Sequence, residues 1–341
     1  MTDYWAETVV EPAPPPPESA RRRRWPWLIV AILVLAGIYA WLTRANGAAV
    51  DVLHVGSQRG GTKAVLLASG ALEGAAYRVE WSEFPAAQTL LEVIGAGAVD
   101  VGLAGDAPFQ FAYQTGSPIV AVAAESVNPR LTGALAILVP GASPIHDAAG
   151  LRGKRIATTR GSIGHYLILR VLEAQRLKPA DVQIVFLSPG DAKAAFDSGA
   201  IDAWSTWTPY TAAAFAAGAR SVVDAAAYYS SYGFDVANAQ TVATKRAILT
   251  DYLKREAKAF AWVKAHPDAY AKVLAHETGL PIDIAQFHVR HMAIGRVPID
   301  EPLKAEEREV VAHFRTAGAL AGTRPIEAAF LPLDQGEPHG G

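Results

Sequence analysis

Two look-alike turns limit what this chain can fold into more than any other feature of its 341 residues. The first, Ser57-Gln58-Arg59-Gly60-Gly61-Thr62, follows the apolar, β-branched run 50–56 and precedes an apolar helix. The second, Arg160-Gly161-Ser162, sits between the strand-like run 155–159 and a helical spacing that begins at Ile163, about 100 residues further on, a typical domain length. Strand, glycine turn and helix in that order leave backbone N–H groups free at the helix N-terminus, where an anion can bind. Gly97-Ala98-Val99-Asp100 and Gly199-Ala200-Ile201-Asp202 form a second echo at about the same spacing. Strands and helices alternate in both stretches, so the sequence predicts a duplicated α/β unit whose two lobes face one cleft.

Composition fits that count and narrows the function. Hydrophobic residues make up 51% of the chain and charged residues 19%, enough apolar material for two medium cores. A formal net charge of -2, with Lys and Arg scattered apart from one run, lacks the basic face that a nucleic acid would need. The absence of cysteine excludes thiol catalysis, disulfides, Cys-ligated metals and a lipidated N-terminal cysteine, and leaves an oxidising compartment open.

Residues 1–24 read as a tail: Pro14 to Pro17 are consecutive, the surroundings are rich in Pro, Glu and Ala, and Arg21 to Arg24 close it. Residues 25–43 then run for about 19 mainly apolar positions without a charge, the length of one membrane-crossing helix. Four arginines before this run and Arg44 after it orient the N-terminus to the cytoplasm, with Trp25, Trp27, Tyr39 and Trp41 at the two interfaces. The competing reading is a signal peptide cut near the small residues 45–48. Beyond it, residues 50–135 and 236–330 are expected to form lobe 1 and residues 136–235 lobe 2, so that two crossings make a hinge. A strand is expected over 236–244 and helices over 246–265, 268–277, 282–290 and 303–317.

Several blocks carry a family resemblance: Val55-Gly56-Ser57-Gln58-Arg59-Gly60-Gly61, Trp81-Ser82-Glu83-Phe84-Pro85-Ala86, Gly105-Asp106-Ala107-Pro108, Gly161-Ser162-Ile163-Gly164-His165-Tyr166 and Ala200-Ile201-Asp202-Ala203-Trp204. Together they resemble the periplasmic solute-binding proteins of ABC importers for aliphatic sulfonates, within the group that also serves taurine and nitrate. The resemblance spans residues 50–320. It implies a two-lobed α/β periplasmic-binding-protein fold of type II and a monomer that hands a sulfonate to a membrane permease and its ATPase, with no catalysis and no cofactor. Taurine, nitrate, bicarbonate or a thiamine-precursor pyrimidine are alternative ligands for the same fold. Members of this family are usually freed by a signal peptidase or held by a lipid, so a proline-rich tail and a membrane anchor would tether this domain near its permease.

A sulfonate is a tetrahedral monoanion with three acceptor oxygens, so its site needs convergent donors. Gly161, Ser162, Ile163 and Gly164 offer backbone N–H groups and the Ser162 hydroxyl, although Ser162 could serve only as an N-cap. Gly61 and Thr62 offer the matching donors of lobe 1. Gln58 stands at the end of a strand, where open α/β sheets bind ligands. Arg59 could pair with the charge or be solvated. Asp106 reads first as an N-cap, with the N–H groups of Asp106 and Ala107 facing the cleft. His165 is a donor candidate against a structural role. Of Trp204 and Trp207, one belongs to the core and the other to an apolar wall. Glu125 could hold an amino group, against a plain surface role. No metal-binding pair, P-loop or dinucleotide fingerprint appears, and Arg160 replaces the first glycine of a nucleophile elbow.

Overall fold

The computed structural model describes residues 30–36, 51–127, 132–228, 231–290 and 294–334. It divides into two units, Met1–Val50 and Asp51–Gly341. In the first, residues 30–36 are helical, while the expected tail and the rest of the expected span 25–43 lie outside the described residues. No helix among the described residues is long and apolar enough to cross a membrane.

The second unit contains two sheets. Strands β1 (Val52–Gln58), β2 (Arg78–Phe84), β3 (Val101–Gly105), β4 (Ile119–Val127), β10 (Tyr232–Asn238) and β11 (Ile294–Val297) form one, in the order β11-β4-β10-β3-β1-β2. Strands β5 (Leu135–Val139), β6 (Arg155–Thr158), β7 (Gln183–Phe186), β8 (Ala203–Trp207) and β9 (Arg220–Asp224) form the other, in the order β7-β6-β8-β5-β9. Both are mixed. β1 runs parallel to β2 and β3, as β6 does to β7 and β8, and the returning strands β10 and β5 are antiparallel to their neighbours. The chain crosses between the sheets after β4 and again before β10.

Apolar runs make these strands because both sheet faces are covered. In the second sheet Ile137, Val139 and Ile156 point to one core while Ala136, Leu138 and Ala157 point to another, as strand alternation requires. The helices are α1 (Thr62–Ser69), α2 (Ala87–Gly95), α3 (Asp106–Gln114), α4 (Ile163–Ala174), α5 (Pro189–Asp197), α6 (Tyr210–Ala216), α7 (Ala239–Thr244), α8 (Arg246–Ala265), α9 (Pro267–Thr278), α10 (Ile282–Arg290) and α11 (Glu301–Thr316). One face of the first sheet packs on Leu90, Phe109 and Phe314, and the other on Leu66, Leu253 and Leu274. Each such side chain contributes about 1.5–3 kcal/mol by leaving water. Tyr166 and Leu169 of α4 join the core that holds Phe314, so this helix packs on both sheets' territory.

The second sequence echo has a structural cause. The Asp100 carboxylate accepts the His54 N–H at 2.8 Å and the Asp100 N–H donates to the His54 carbonyl at 2.8 Å. Asp202 does the same for Arg155, at 2.8 and 2.9 Å. Each aspartate thus satisfies a backbone donor on the strand that leads into a glycine turn, a donor that would cost about 1–3 kcal/mol if left buried and unpaired.

The expected strand over 236–244 is displaced. β10 starts at Tyr232 and ends at Asn238, whose side chain accepts the Gln240 N–H at 2.9 Å and caps α7. The cap signal outweighs the β-branched Thr241 and Val242.

Candidate functional site

The two glycine turns correspond residue for residue at an offset of 101. Gly60 and Gly161 have φ of 74° and 68°, the left-handed region that favours glycine. One residue later the Gly61 N–H donates to the Gln58 carbonyl at 2.8 Å and the Ser162 N–H to the Thr159 carbonyl at 3.1 Å. Helices α1 and α4 then begin at Thr62 and Ile163.

The caps of these two helices differ. Ser162 is an N-cap whose Oγ accepts the His165 N–H at 3.0 Å and lies 3.2 Å from Thr158 Oγ1. Gly61 has no side chain to cap with, and Ser57 Oγ instead accepts the Lys63 N–H at 3.1 Å from the preceding strand. Both arrangements leave the first helical N–H, of Thr62 or Ile163, without a partner among the described residues, as the Gly164 N–H is too.

Between the two turns lies a cavity of about 270 Å³. Gln58, Arg59, Gly61, Thr62, Ser162, Ile163 and Trp207 line it. Its walls are mostly apolar, with Leu103, Leu135, Pro209, Tyr210 and Phe260 among them. Arg59 is the one Lys or Arg among the described lining residues, and its guanidinium is exposed and donates to the Thr278 carbonyl. Gln58 is likewise tied down, its amide donating to the Leu103 carbonyl at 3.1 Å. The lobes meet around this cavity: Tyr210 OH donates to the Pro85 carbonyl at 3.1 Å, and a Cβ on Gly161 would come 2.6 Å from the Phe111 ring of α3.

Six sequence candidates are held elsewhere. The Gly161 N–H donates to His165 Nδ1 at 3.2 Å, so the turn satisfies itself with the histidine. His165 is 2% exposed, edge-on to Phe186, and burial lowers its pKa to about 4, with Arg160 adding to the shift. It is a neutral structural group. Gly164 presses on β8, where a Cβ would meet the Ser205 carbonyl oxygen at 2.7 Å. Trp204 is 2% exposed between Phe196 and Tyr210. Gly105 is the N-cap of α3 and Asp106 its first residue; the Ala107 N–H is taken by Asp106 Oδ1 at 2.6 Å. Asp106 faces a separate cavity of about 220 Å³ beside Tyr166, Glu307 and His313, where burial above all raises its pKa to about 7.

Tyr210, Tyr232 and Leu103 line the main cavity without a sequence motif that marks them as contacts, and Glu125, the candidate holder of an amino group, lines it too. Tyr232 and Leu103 come from strands whose facing is set by pairing, which no local motif announces. Glu125 is 1% exposed, which corrects its surface reading.

Residues 78–270, more than half of the chain, match the NMT1/THI5 like family. A putative aliphatic sulfonates-binding protein of Escherichia coli (strain K12) is 34% identical over 265 residues, covering 76% of this chain and 82% of that protein. The alkanesulfonate-binding protein SsuA from Xanthomonas axonopodis pv. citri, solved bound to MOPS, superposes with a TM-score of 0.76 at 27% identity, covering 84% of this chain and 100% of the other. The periplasmic aliphatic sulphonate binding protein SsuA from Escherichia coli gives a TM-score of 0.72 at 28% identity, covering 85% and 94%. The two mixed sheets with their helices are an α/β periplasmic-binding-protein fold.

Proposed function

This chain belongs to the NMT1/THI5-like family together with the aliphatic sulfonate-binding proteins it matches, and from that premise we propose that it is the solute-binding component of an ABC importer, taking aliphatic sulfonates into the cavity between its lobes. The observation that carries this reading is the meeting of two helix N-termini, with free N–H groups at Thr62 and Ile163, on one mostly apolar cavity. The N–H groups of Thr62 and Ile163 and the hydroxyls of Thr62 and Ser162 donate to the sulfonate oxygens. Helix dipoles add favourable field there, each worth about 0.3–1 kcal/mol. Trp207 and Tyr210 cover the alkyl part. A sulfonate never needs to be protonated or cleaved to be carried, so the site requires donors and apolar wall and no catalytic group.

In the same proposal the lobes comprise residues 50–135 with 236–330, and 136–235, which act as a monomer. The folded part stands in the periplasm and presents its ligand to a permease and ATPase. Residues 25–43 hold it at the membrane as an uncleaved helix, a reading supported by their uncharged run between Arg24 and Arg44.

Titration calorimetry of the full chain with methane-, ethane- and hexanesulfonate, nitrate and a pyrimidine tests the ligand class. Sulfonates are expected to bind at micromolar or lower concentration; heat from nitrate or the pyrimidine alone would replace sulfonate as the ligand.

A further inference from the structure

Buried carboxylates gather at two places in the second unit, and the chain treats them differently. Glu125 of β4, Asp235 of β10 and Glu256 of α8 are buried, with one carboxylate oxygen of each within 4.8 Å of the others. Arg296 of β11 fills that cluster: it donates to Glu125 Oε1, to Asp235 Oδ2 at 2.7 Å and to Glu256 Oε2 at 3.2 Å. The other place is the cavity of about 220 Å³ walled by α3, α4 and α11, and it has no such guanidinium.

Asp106 and Glu307 line this second cavity and are 1% and 0% exposed. Glu307 Oε2 accepts the Gln110 amide at 2.8 Å, while its Oε1 has no hydrogen-bond partner among the described residues. Burial first and the Asp106 charge second push the Glu307 carboxyl well above the usual carboxylate range, so it takes up a proton for want of a counter-ion. Glu306 and Glu309 line the same cavity and are exposed, so two further carboxylates stand where a ligand can reach them. The basic groups of the wall are spent on other partners. Arg170 donates to Glu173 at 3.0 Å, to the Tyr228 carbonyl at 3.3 Å and to His313. His313 meets Glu173 through Nε2 at 3.0 Å and the Glu309 carbonyl through Nδ1 at 2.6 Å.

The chemistry of the wall chooses among cations. No trio of its carboxylates and imidazole converges within 4.8 Å as the cluster at Arg296 does, and the cavity is several times the ~30 Å³ that one water occupies, so it does not suit a bare metal ion. Tyr166, Tyr228 and Tyr232 complete the lining, and aromatic faces attract cations and cover alkyl chain alike. An acceptor without a donor calls for N–H groups; a primary ammonium brings three and a quaternary one none. We propose that this second cavity binds a small primary alkylammonium ligand, its head among Glu306, Glu309 and Glu307 and its stem against the tyrosines. The site is separate from the sulfonate cavity and does not depend on the sulfonate reading.

Titration calorimetry of the full chain at about pH 7, where a primary ammonium is charged, tests this with butylammonium, 1,4-diaminobutane, tetramethylammonium and sulfate. Butylammonium or 1,4-diaminobutane is expected to bind one per chain, at least tenfold tighter than tetramethylammonium. Glu306→Gln removes an exposed charge and should weaken the amine at least fivefold. Glu307→Gln copies the protonated acid, keeps an acceptor for Gln110 and cannot ionise; it should keep the native melting temperature and weaken the amine at least tenfold. Ethanesulfonate affinity should stay within about threefold in both variants. Silence from both amines, equal binding of tetramethylammonium, or binding of sulfate in their place overturns the inference. So does an amine affinity unchanged in Glu306→Gln, or in a Glu307→Gln chain that melts like the native one.

Discussion

The turn of lobe 1 and the turn of lobe 2 share a left-handed glycine and a turn hydrogen bond but have different occupants. Position by position, Arg59 matches Arg160, Gly60 matches Gly161, Gly61 matches Ser162 and Ala64 matches His165. In lobe 2 the side chains of Ser162 and His165 satisfy two of the turn's own N–H groups, so the loop holds its shape without a ligand. In lobe 1 neither side chain exists, and the equivalent support comes from Ser57 on the strand behind. A duplicated fold can thus keep one loop as a self-contained jaw and leave the other glycine-lined and open. The consequences of breaking each match separate these roles.

The largest effect is expected at the left-handed glycines. Gly60→Ala and Gly161→Ala both place an alanine at positive φ, at about 1–2 kcal/mol. At Gly60 the new methyl would stand 3.1 Å from the tip of Leu274, which can swing aside; at Gly161 it would stand 2.6 Å from the Phe111 ring, packed edge-on against Phe314. Overpacking adds about 1–3 kcal/mol there. Urea denaturation should show Gly161→Ala losing about 3 kcal/mol and Gly60→Ala about half of that. Equal losses would mean that the lobes do not press together at Phe111.

Acid should separate the turns next. His165 falls from the ordinary 6.5 to about 4 in the folded chain. Between those values the unfolded chain takes up a proton that the folded chain refuses, so stability drops as pH falls through that window and the loss is complete below about pH 4. Near pH 4.5 the penalty is about 2 kcal/mol. Ala64 gives lobe 1 no counterpart. Chemical denaturation of the native chain and of His165→Gln, at about pH 7 and about pH 4.5, should show the native chain losing about 2 kcal/mol more. A parallel loss in both would assign the acid sensitivity to other groups; Asp106, whose raised pKa makes the folded chain take up its proton more readily, would oppose such a loss.

Much of this comparison is readable in the sequence because its signals are local. A glycine at positive φ, a serine before a helix and an aspartate after Gly-Ala-x each declare their geometry within a few residues. Facing is not local. Trp204 and Trp207 are both on β8, three positions apart, and pleat alternation sends one into the core and the other to the cavity. The motif around Ser162 points to a helix end but does not say that His165 would turn back onto Gly161. β11 is not legible in the sequence because four residues with a glycine and an arginine do not alternate as a strand, and the partner of Glu125 is hidden with it. The cavity wall at Tyr232 and Gly233 exists only once the chain has crossed back from the second sheet.

The smallest stability effect, and the sharpest separation of holding a shape from holding a ligand, comes from exchanging the N-caps. Ser162→Gly removes the oxygen that accepts the His165 N–H; a glycine N-cap costs only a few tenths of a kcal/mol relative to serine. Gly61→Ser supplies the oxygen that lobe 1 lacks, where φ of -95° suits any residue but the new Cβ would stand 3.0 Å from the Gln58 carbonyl oxygen. That crowding offsets the capping gain, so thermal stability should move by less than about 0.5 kcal/mol in either variant. Ligand affinity should not be spared equally. A serine oxygen at position 61 turns a lone pair toward the N–H groups that the sulfonate needs and stands between ligand and helix end, so Gly61→Ser is expected to weaken ethanesulfonate binding at least tenfold. Ser162→Gly deletes one hydroxyl donor but frees the His165 N–H, and should weaken binding less than fivefold. If calorimetry finds the two variants equally impaired, the open and self-capped turns contribute alike to the site, and the asymmetry between the lobes concerns folding alone.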